Sequence, residues 1–203
     1  MRCASLVTSR KKRKTINIIW PVLVLYLIVA AADWLAVYQG WKRATYFAKP
    51  AVLLILIAGF TLIGRWEGPL FWFGLGLVFS LAGDVLLQYN RLFLAGLVAF
   101  LLAHVFYIIG FNPTALPLTG VSLILAVLAW SFAMLQYRRI STALRDKPEM
   151  AGMQYPVFIY TMAISIMLLS ALITLVRPDW PLNAALLAAA GGALFTLSDS
   201  ILA

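Results

Sequence analysis

Five ionisable side chains sit inside long apolar runs of this chain: Asp33, Lys49, Asp84, His104 and Asp199. An ionisable group in such surroundings is costly to keep, so its default reading is functional. Two carboxyl groups at close range cannot both ionise without penalty, so a pair settles as an acid beside a carboxylate. That is the equipment of general acid–base catalysis. One histidine and one remote cysteine, Cys3, do not make a zinc centre of the usual kind, and no metal or other cofactor is expected. The chain has no Walker loop, dinucleotide fingerprint or nucleophile elbow. Ser198 directly precedes Asp199, but adjacent helical residues do not face each other, so the two are no serine–acid pair by themselves. What is left is carboxylate chemistry supported by tyrosine, lysine or histidine.

The elements that must position these residues follow from composition. Of 203 residues, 64% are hydrophobic and 11% charged, whereas a soluble domain is about half apolar and about a quarter charged. No soluble fold of this size hides so much apolar surface. A hydrocarbon core about 30 Å thick is crossed by about 20 apolar helical residues. Stretches over 16–38, 46–64, 69–88, 92–111, 117–137, 153–176 and 182–203 qualify. Their apolar runs are continuous rather than alternating, which excludes a β-barrel. The expected fold is an all-α, polytopic transmembrane helix bundle of seven spans. It forms one domain over 16–203 behind a basic tail over 1–15. Pro69, Pro117 and Pro181 stand where helices begin, a place that suits a residue without an amide hydrogen. Tryptophans cluster near span ends, as interfacial belts do. The longer polar link, 138–152, joins the fifth and sixth spans.

The tail holds Arg2, Arg10, Lys11, Lys12, Arg13 and Lys14. An apolar span follows directly, so the run reads as an anchor on an anionic leaflet rather than as a nucleic-acid site. The span stays apolar to about Val37, too long for a cleaved signal peptide. Basic residues on the two sides of the bundle nearly balance. The dense terminal run tips the expectation toward a cytoplasmic N-terminus.

Depth and face then order the polar residues. Counted along antiparallel spans, Asp33, Lys49, Asp84 and Asp199 all fall toward the side opposite the N-terminus, with Tyr155 and Tyr160. His104 lies deeper. Such an alignment implies one polar cavity opening to one side. Gly76, Ser80 and Asp84 recur every four residues on one helical face, and Gly192, Thr196 and Asp199 nearly do the same. Small residues let helices approach closely. If the two faces pack together, they bring Asp84 and Asp199 near each other.

The segments SLAGDVLLQ at 80–88, FLAGLVAFLLAHVFYIIGF at 93–111 and GGALFTLSDSILA at 191–203 resemble the YhhN-like membrane proteins, a family that includes the lysoplasmalogenases. Tyr46 with Lys49-Pro50 and the stretch from Pro156 to Tyr160 fit the same pattern. The resemblance covers nearly everything after the basic tail. It implies hydrolysis of the vinyl ether bond of lysoplasmalogens, with release of a fatty aldehyde and a glycerophospho-base. It also implies eight spans, so the family's last span is expected to be lacking here. The setting it implies is a bacterial inner membrane, with a membrane lysophospholipid as substrate.

The residues suit that chemistry. Protonation of the β-carbon of a vinyl ether gives an oxocarbenium ion, which takes up water and collapses to aldehyde and alcohol. This needs a general acid and a negative charge to steady the cation. Asp84 and Asp199 are expected to share those catalytic roles. His104 and Tyr107 would orient a carboxylate or water, and Lys49 would meet the substrate phosphate. Asp33, Tyr46, Tyr160 and Ser198 complete the supporting set. The main alternative is a proton-coupled carrier of a small solute or lipid, because proton relays use the same side chains. A structural or lipid-sensing protein held together by buried acids is a third reading.

Overall fold

The computed structural model describes residues 21–22, 24–32, 35, 38–64, 66–145 and 152–202, with the backbone alone at 42–46, 63–64, 90, 143–145 and 201–202. Helical residues at 21–22, 24–32, 35 and 38 make α1. They are followed by α2 (Lys42–Gly64), α3 (Pro69–Leu87), α4 (Phe93–Phe111), α5 (Gly120–Arg145), α6 (Gln154–Ile173) and α7 (Leu182–Leu202). Among the described residues there is no strand, and the all-α expectation holds.

Among the described residues, five helices, α3 to α7, are long and apolar enough to cross a membrane. Seven spans are expected from sequence, and the other two stretches are described only in part. Helix α2 runs over Lys42–Gly64, and its apolar run with described side chains is Phe47–Leu62. The stretch 16–38 lies partly outside the described residues, as do the basic tail and Asp33. The link expected over 138–152 is partly helical. Helix α5 continues through it as far as Arg145, with Arg138 and Arg139 exposed. Arginine, alanine and leucine are good helix formers, and no proline interrupts the run before Pro148, so the change to polar side chains does not end the helix.

Helix starts follow local chemistry. Pro69 opens α3 as expected. Before α5, Thr119 takes over from Pro117: its hydroxyl accepts the Ser122 amide at 3.1 Å, closing an N-terminal cap.

The chain divides into two compact units, residues 1–99 and 100–203, with the boundary inside α4. In the first, α2 packs along α3. The turn between them is pinned by Trp66, which takes a φ of 53°. Its indole donates to Thr61 Oγ1 at 3.0 Å, and its ring covers Gly74, where a Cβ would stand 2.8 Å away. Only glycine permits that approach.

In the second unit α6 lies between α5 and α7. Half of its span is buried within the protein (50%), against 17% for α5, so α6 is the element around which this unit is built. It meets α7 through small residues. Ala171 is fully buried, and a Cβ at Gly192 would stand 2.8 Å from the Ala171 Cβ. Close backbone approach replaces the hydrophobic drive that lipid cannot supply. The hydroxyls along both helices satisfy themselves on their own helix: Thr161 donates to Val157 O, Ser165 to Thr161 O, Thr196 to Gly192 O and Ser200 to Thr196 O. Back-bonding of this kind keeps polar side chains tolerable where water is scarce.

Candidate active site

The face of α7 that carries Gly192, Thr196 and Asp199 is used as the spacing implies, but its partner is α6. Gly192 faces Ala171, Thr196 is buried, and Asp199 reaches Tyr160. The Tyr160 phenol donates to Asp199 Oδ1 at 3.0 Å. Each residue sits on a membrane-length helix and is half-buried.

His104 supports this pair from α4. It is completely buried, its ring edge-on to Tyr160 at 5.3 Å and to Phe195 at 5.4 Å between centroids. Its Nδ1 lies 2.6 Å from the Phe100 carbonyl oxygen. A carbonyl only accepts, so Nδ1 carries the hydrogen and Nε2 is left as a bare acceptor. Nε2 finds no hydrogen-bond partner among the described residues. His104 thus meets Asp199 by way of Tyr160, packing against the ring whose phenol donates to the carboxylate.

Next to Asp199 lies a small cavity of about 30 Å³, bounded on α5 by Gln136 and on α6 and α7 by Tyr160, Ser165, Asp199 and Ser200. A single water needs roughly 10–15 Å³ of such space, so the cavity suits one or two waters and not a lipid chain. Gln136 is not singled out from sequence, where neither charge nor a small-residue stripe marks it. It stands near the end of the predicted fifth span and passes for an interfacial residue. The signal that finds it is the spacing of Phe132, Gln136 and Ile140, one polar side chain on a four-residue apolar stripe.

The other expected site residues are placed as follows. Ser198 is exposed on α7 and does not line the cavity. Tyr107 is half-buried on α4, three residues after His104. Asp84 is half-buried near the end of α3, on the helix that carries buried Gly76 and Ser80, and belongs to the first unit. Lys49, also in the first unit, is half-buried on α2 directly before Pro50. The side chain of Tyr46 and all of Asp33 lie outside the described residues. Among the described residues no three His, Cys, Asp or Glu side chains gather in a way that would hold a metal ion.

A second polar cluster, also missed from sequence, closes the other end of this unit. Arg177 is 4% exposed. Its guanidinium donates to Thr114 Oγ1 at 2.6 Å, to Asn112 Oδ1 at 2.8 Å and to the carbonyls of Thr114 and Ala115. The Thr114 hydroxyl in turn donates to Asp179 at 3.2 Å. Arg177 thereby ties the α4–α5 connection to the α6–α7 connection.

Fold and site together define an all-α integral membrane protein with a carboxylate held between its spanning helices. The sequence pattern of the YhhN family matches residues 44–203, and the chain belongs to that family. No curated protein and no solved structure matches it.

Proposed function

We propose that this protein is a membrane-embedded hydrolase of lysophospholipids that cleaves the vinyl ether bond of lysoplasmalogen-like substrates. The observation that carries the reading is the Asp199 carboxylate, held at 3.0 Å by the Tyr160 phenol beside a water-sized cavity, on helices long enough to cross a membrane. Membership of the YhhN family supports it.

The reaction consumes one water. A carboxylic acid protonates the β-carbon of the vinyl ether, and the π electrons move so that the α-carbon becomes part of an oxocarbenium ion. A carboxylate steadies that cation. Water adds to the α-carbon and loses a proton to a carboxylate. The hemiacetal hydroxyl then gives up its proton as the bond to the glycerol oxygen breaks, and that oxygen is protonated. The products are a fatty aldehyde and a glycerophospho-base. Asp199 and Asp84 share the acid and carboxylate roles, Asp84 on the sequence argument alone. Tyr160 and His104 hold Asp199 in one orientation, which lowers the cost of reorganisation at the moment of reaction.

The test uses purified protein in lipid nanodiscs, given lysoplasmalogen and, separately, an ester-linked lysophospholipid of equal chain length. Aldehyde release from the first alone, lost in folded Asp199→Asn protein, supports the hydrolase. Unchanged aldehyde release in Asp199→Asn and Asp84→Asn proteins removes the site assignment. No cleavage of either lipid, together with proton-driven movement of a labelled solute into liposomes, replaces the hydrolase with a carrier.

A further inference from the structure

We propose that the cavity between α5, α6 and α7 binds the water that attacks the oxocarbenium carbon, and that Gln136 positions this water. The inference rests on the hydrolase reading above and adds to it the place of the second reactant.

Size is the first argument. At about 30 Å³ the cavity matches a water or two, while a drug-sized or lipid ligand needs roughly 300 Å³ or more. The alkenyl chain must therefore reach Asp199 from elsewhere.

Hydrogen bonding is the second. A buried water needs two to four polar partners. Ser165 already donates to Thr161 O at 2.7 Å and Ser200 to Thr196 O at 2.6 Å, so both keep only lone pairs for the cavity. Tyr160 commits its hydrogen to Asp199. Asp199 as a carboxylate is an acceptor only. Four groups on the wall therefore accept or are already committed. The Gln136 amide has no hydrogen-bond partner among the described residues and supplies the free donor.

Those assignments orient the water. Its two hydrogens point to Asp199 and to a serine oxygen. One lone pair accepts from the Gln136 amide, and the other is left to attack. When it does, the oxygen–carbon bond forms, the π electrons of the oxocarbenium return to the ether oxygen, and the water's proton passes to the Asp199 carboxylate. Asp199 is thereby the group that takes the proton in this step. Gln136 is a positioning residue, since its effect on the lipid runs through the water.

Protonation of carbon is the slower chemical step for enol ethers, so the informative readout is the fate of the cation rather than the rate alone. Methanol added to the assay competes for the oxocarbenium and yields a stable mixed methyl acetal in place of aldehyde. Methanol has one hydroxyl hydrogen where the pocket offers acceptors for two, so the pocket favours water. Wild-type protein is expected to give aldehyde almost exclusively, even in methanol-rich buffer. Gln136→Ala, which enlarges the pocket and frees the nucleophile to turn away from the acceptors that select water, is expected to raise the acetal fraction roughly tenfold. Gln136→Asn, which keeps an amide, should fall between them.

If wild-type protein already forms acetal in the proportion of methanol to water, the pocket does not select the nucleophile and the inference fails. It fails equally if Gln136→Ala and Gln136→Asn give the wild-type product ratio. Wild-type protein that releases no aldehyde even without methanol defeats the hydrolase reading itself, so the two failures are told apart by one control. Should Gln136→Ala not fold, the wild-type and Gln136→Asn product ratios still decide the matter.

Discussion

Tyr160 and Asp199, thirty-nine residues apart in the chain, meet across the α6–α7 contact with the phenol donating to the carboxylate at 3.0 Å. The bond depends on how closely the two helices run. Gly192 and Ala171 set that approach two turns and three turns away from the bonded pair. The His104 ring then packs edge-on against Tyr160. A residue that sequence spacing marks as an acid thus becomes a fixed acid only through three neighbours on two other helices.

Replacing Tyr160 by Phe removes one oxygen and keeps the ring that His104 packs against. The variant should fold with near wild-type thermal stability. Aldehyde release should fall by about 10- to 100-fold, which corresponds to losing one hydrogen bond to a charged group. The decline should appear in kcat, because the bond orients Asp199 and does not touch the lipid. A variant as fast as wild type shows that the phenol plays no part in turnover.

Asp84 and Asp199 are proposed to serve one reaction, and residues that act as a unit are strongly non-additive. Each Asp→Asn change alone should lower turnover by about 10²- to 10⁴-fold, the usual span for general acid–base groups. The double variant should be no slower than the worse single one. Multiplied losses in the double variant mean that the two acids act independently.

The elements themselves are readable from the chain because a span is a matter of length and apolarity. The expected bounds of α3, α4, α6 and α7 agree with the structure to within a residue or two, with the 3-10 turn Thr174–Val176 completing the sixth stretch. Helix α5 is misjudged at its end, where polarity is mistaken for a break although the residues favour helix. For the site, the small-residue stripe ending in Asp199 signals a close helix contact, and the structure supplies one. The stripe carries no label for its partner, and that partner is α6. Gln136 and Arg177 escape because sequence reading weighs charge within spans, while their importance comes from what folds around them. A glutamine is inconspicuous until it faces a cavity, and an arginine at a span end is ordinary until 4% of it is left exposed.

Arg177 offers a test of structure apart from chemistry. Its fork satisfies Asn112 Oδ1, the Thr114 hydroxyl and two carbonyls, and lysine lacks the geometry to reach them together. Arg177→Lys should lower the unfolding free energy by about 1–3 kcal/mol, since buried acceptors lose their donors. Thermal unfolding in detergent measures the loss. Turnover well below the new melting temperature should stay near wild type, because the cluster belongs to the connections and not to the Asp199 site. Wild-type thermal stability would falsify the clamp.

The Gly192–Ala171 contact can be both broken and repaired. Gly192→Ala places a new Cβ 2.8 Å from the Ala171 Cβ, and neither atom can rotate away because each is fixed by its backbone. The helices must separate, at about 1–3 kcal/mol for overpacking a tight contact. Separation also lengthens the Tyr160–Asp199 bond, so activity should fall along with thermal stability. Ala171→Gly removes the opposing Cβ, and the Ala171→Gly, Gly192→Ala double variant exchanges the two side chains across the same gap. Melting temperature and aldehyde release should both recover substantially in the double variant relative to Gly192→Ala. Stability that recovers without activity separates packing from the site and shows that α7 has shifted along its axis. If neither recovers, the contact between α6 and α7 does not set the position of Asp199.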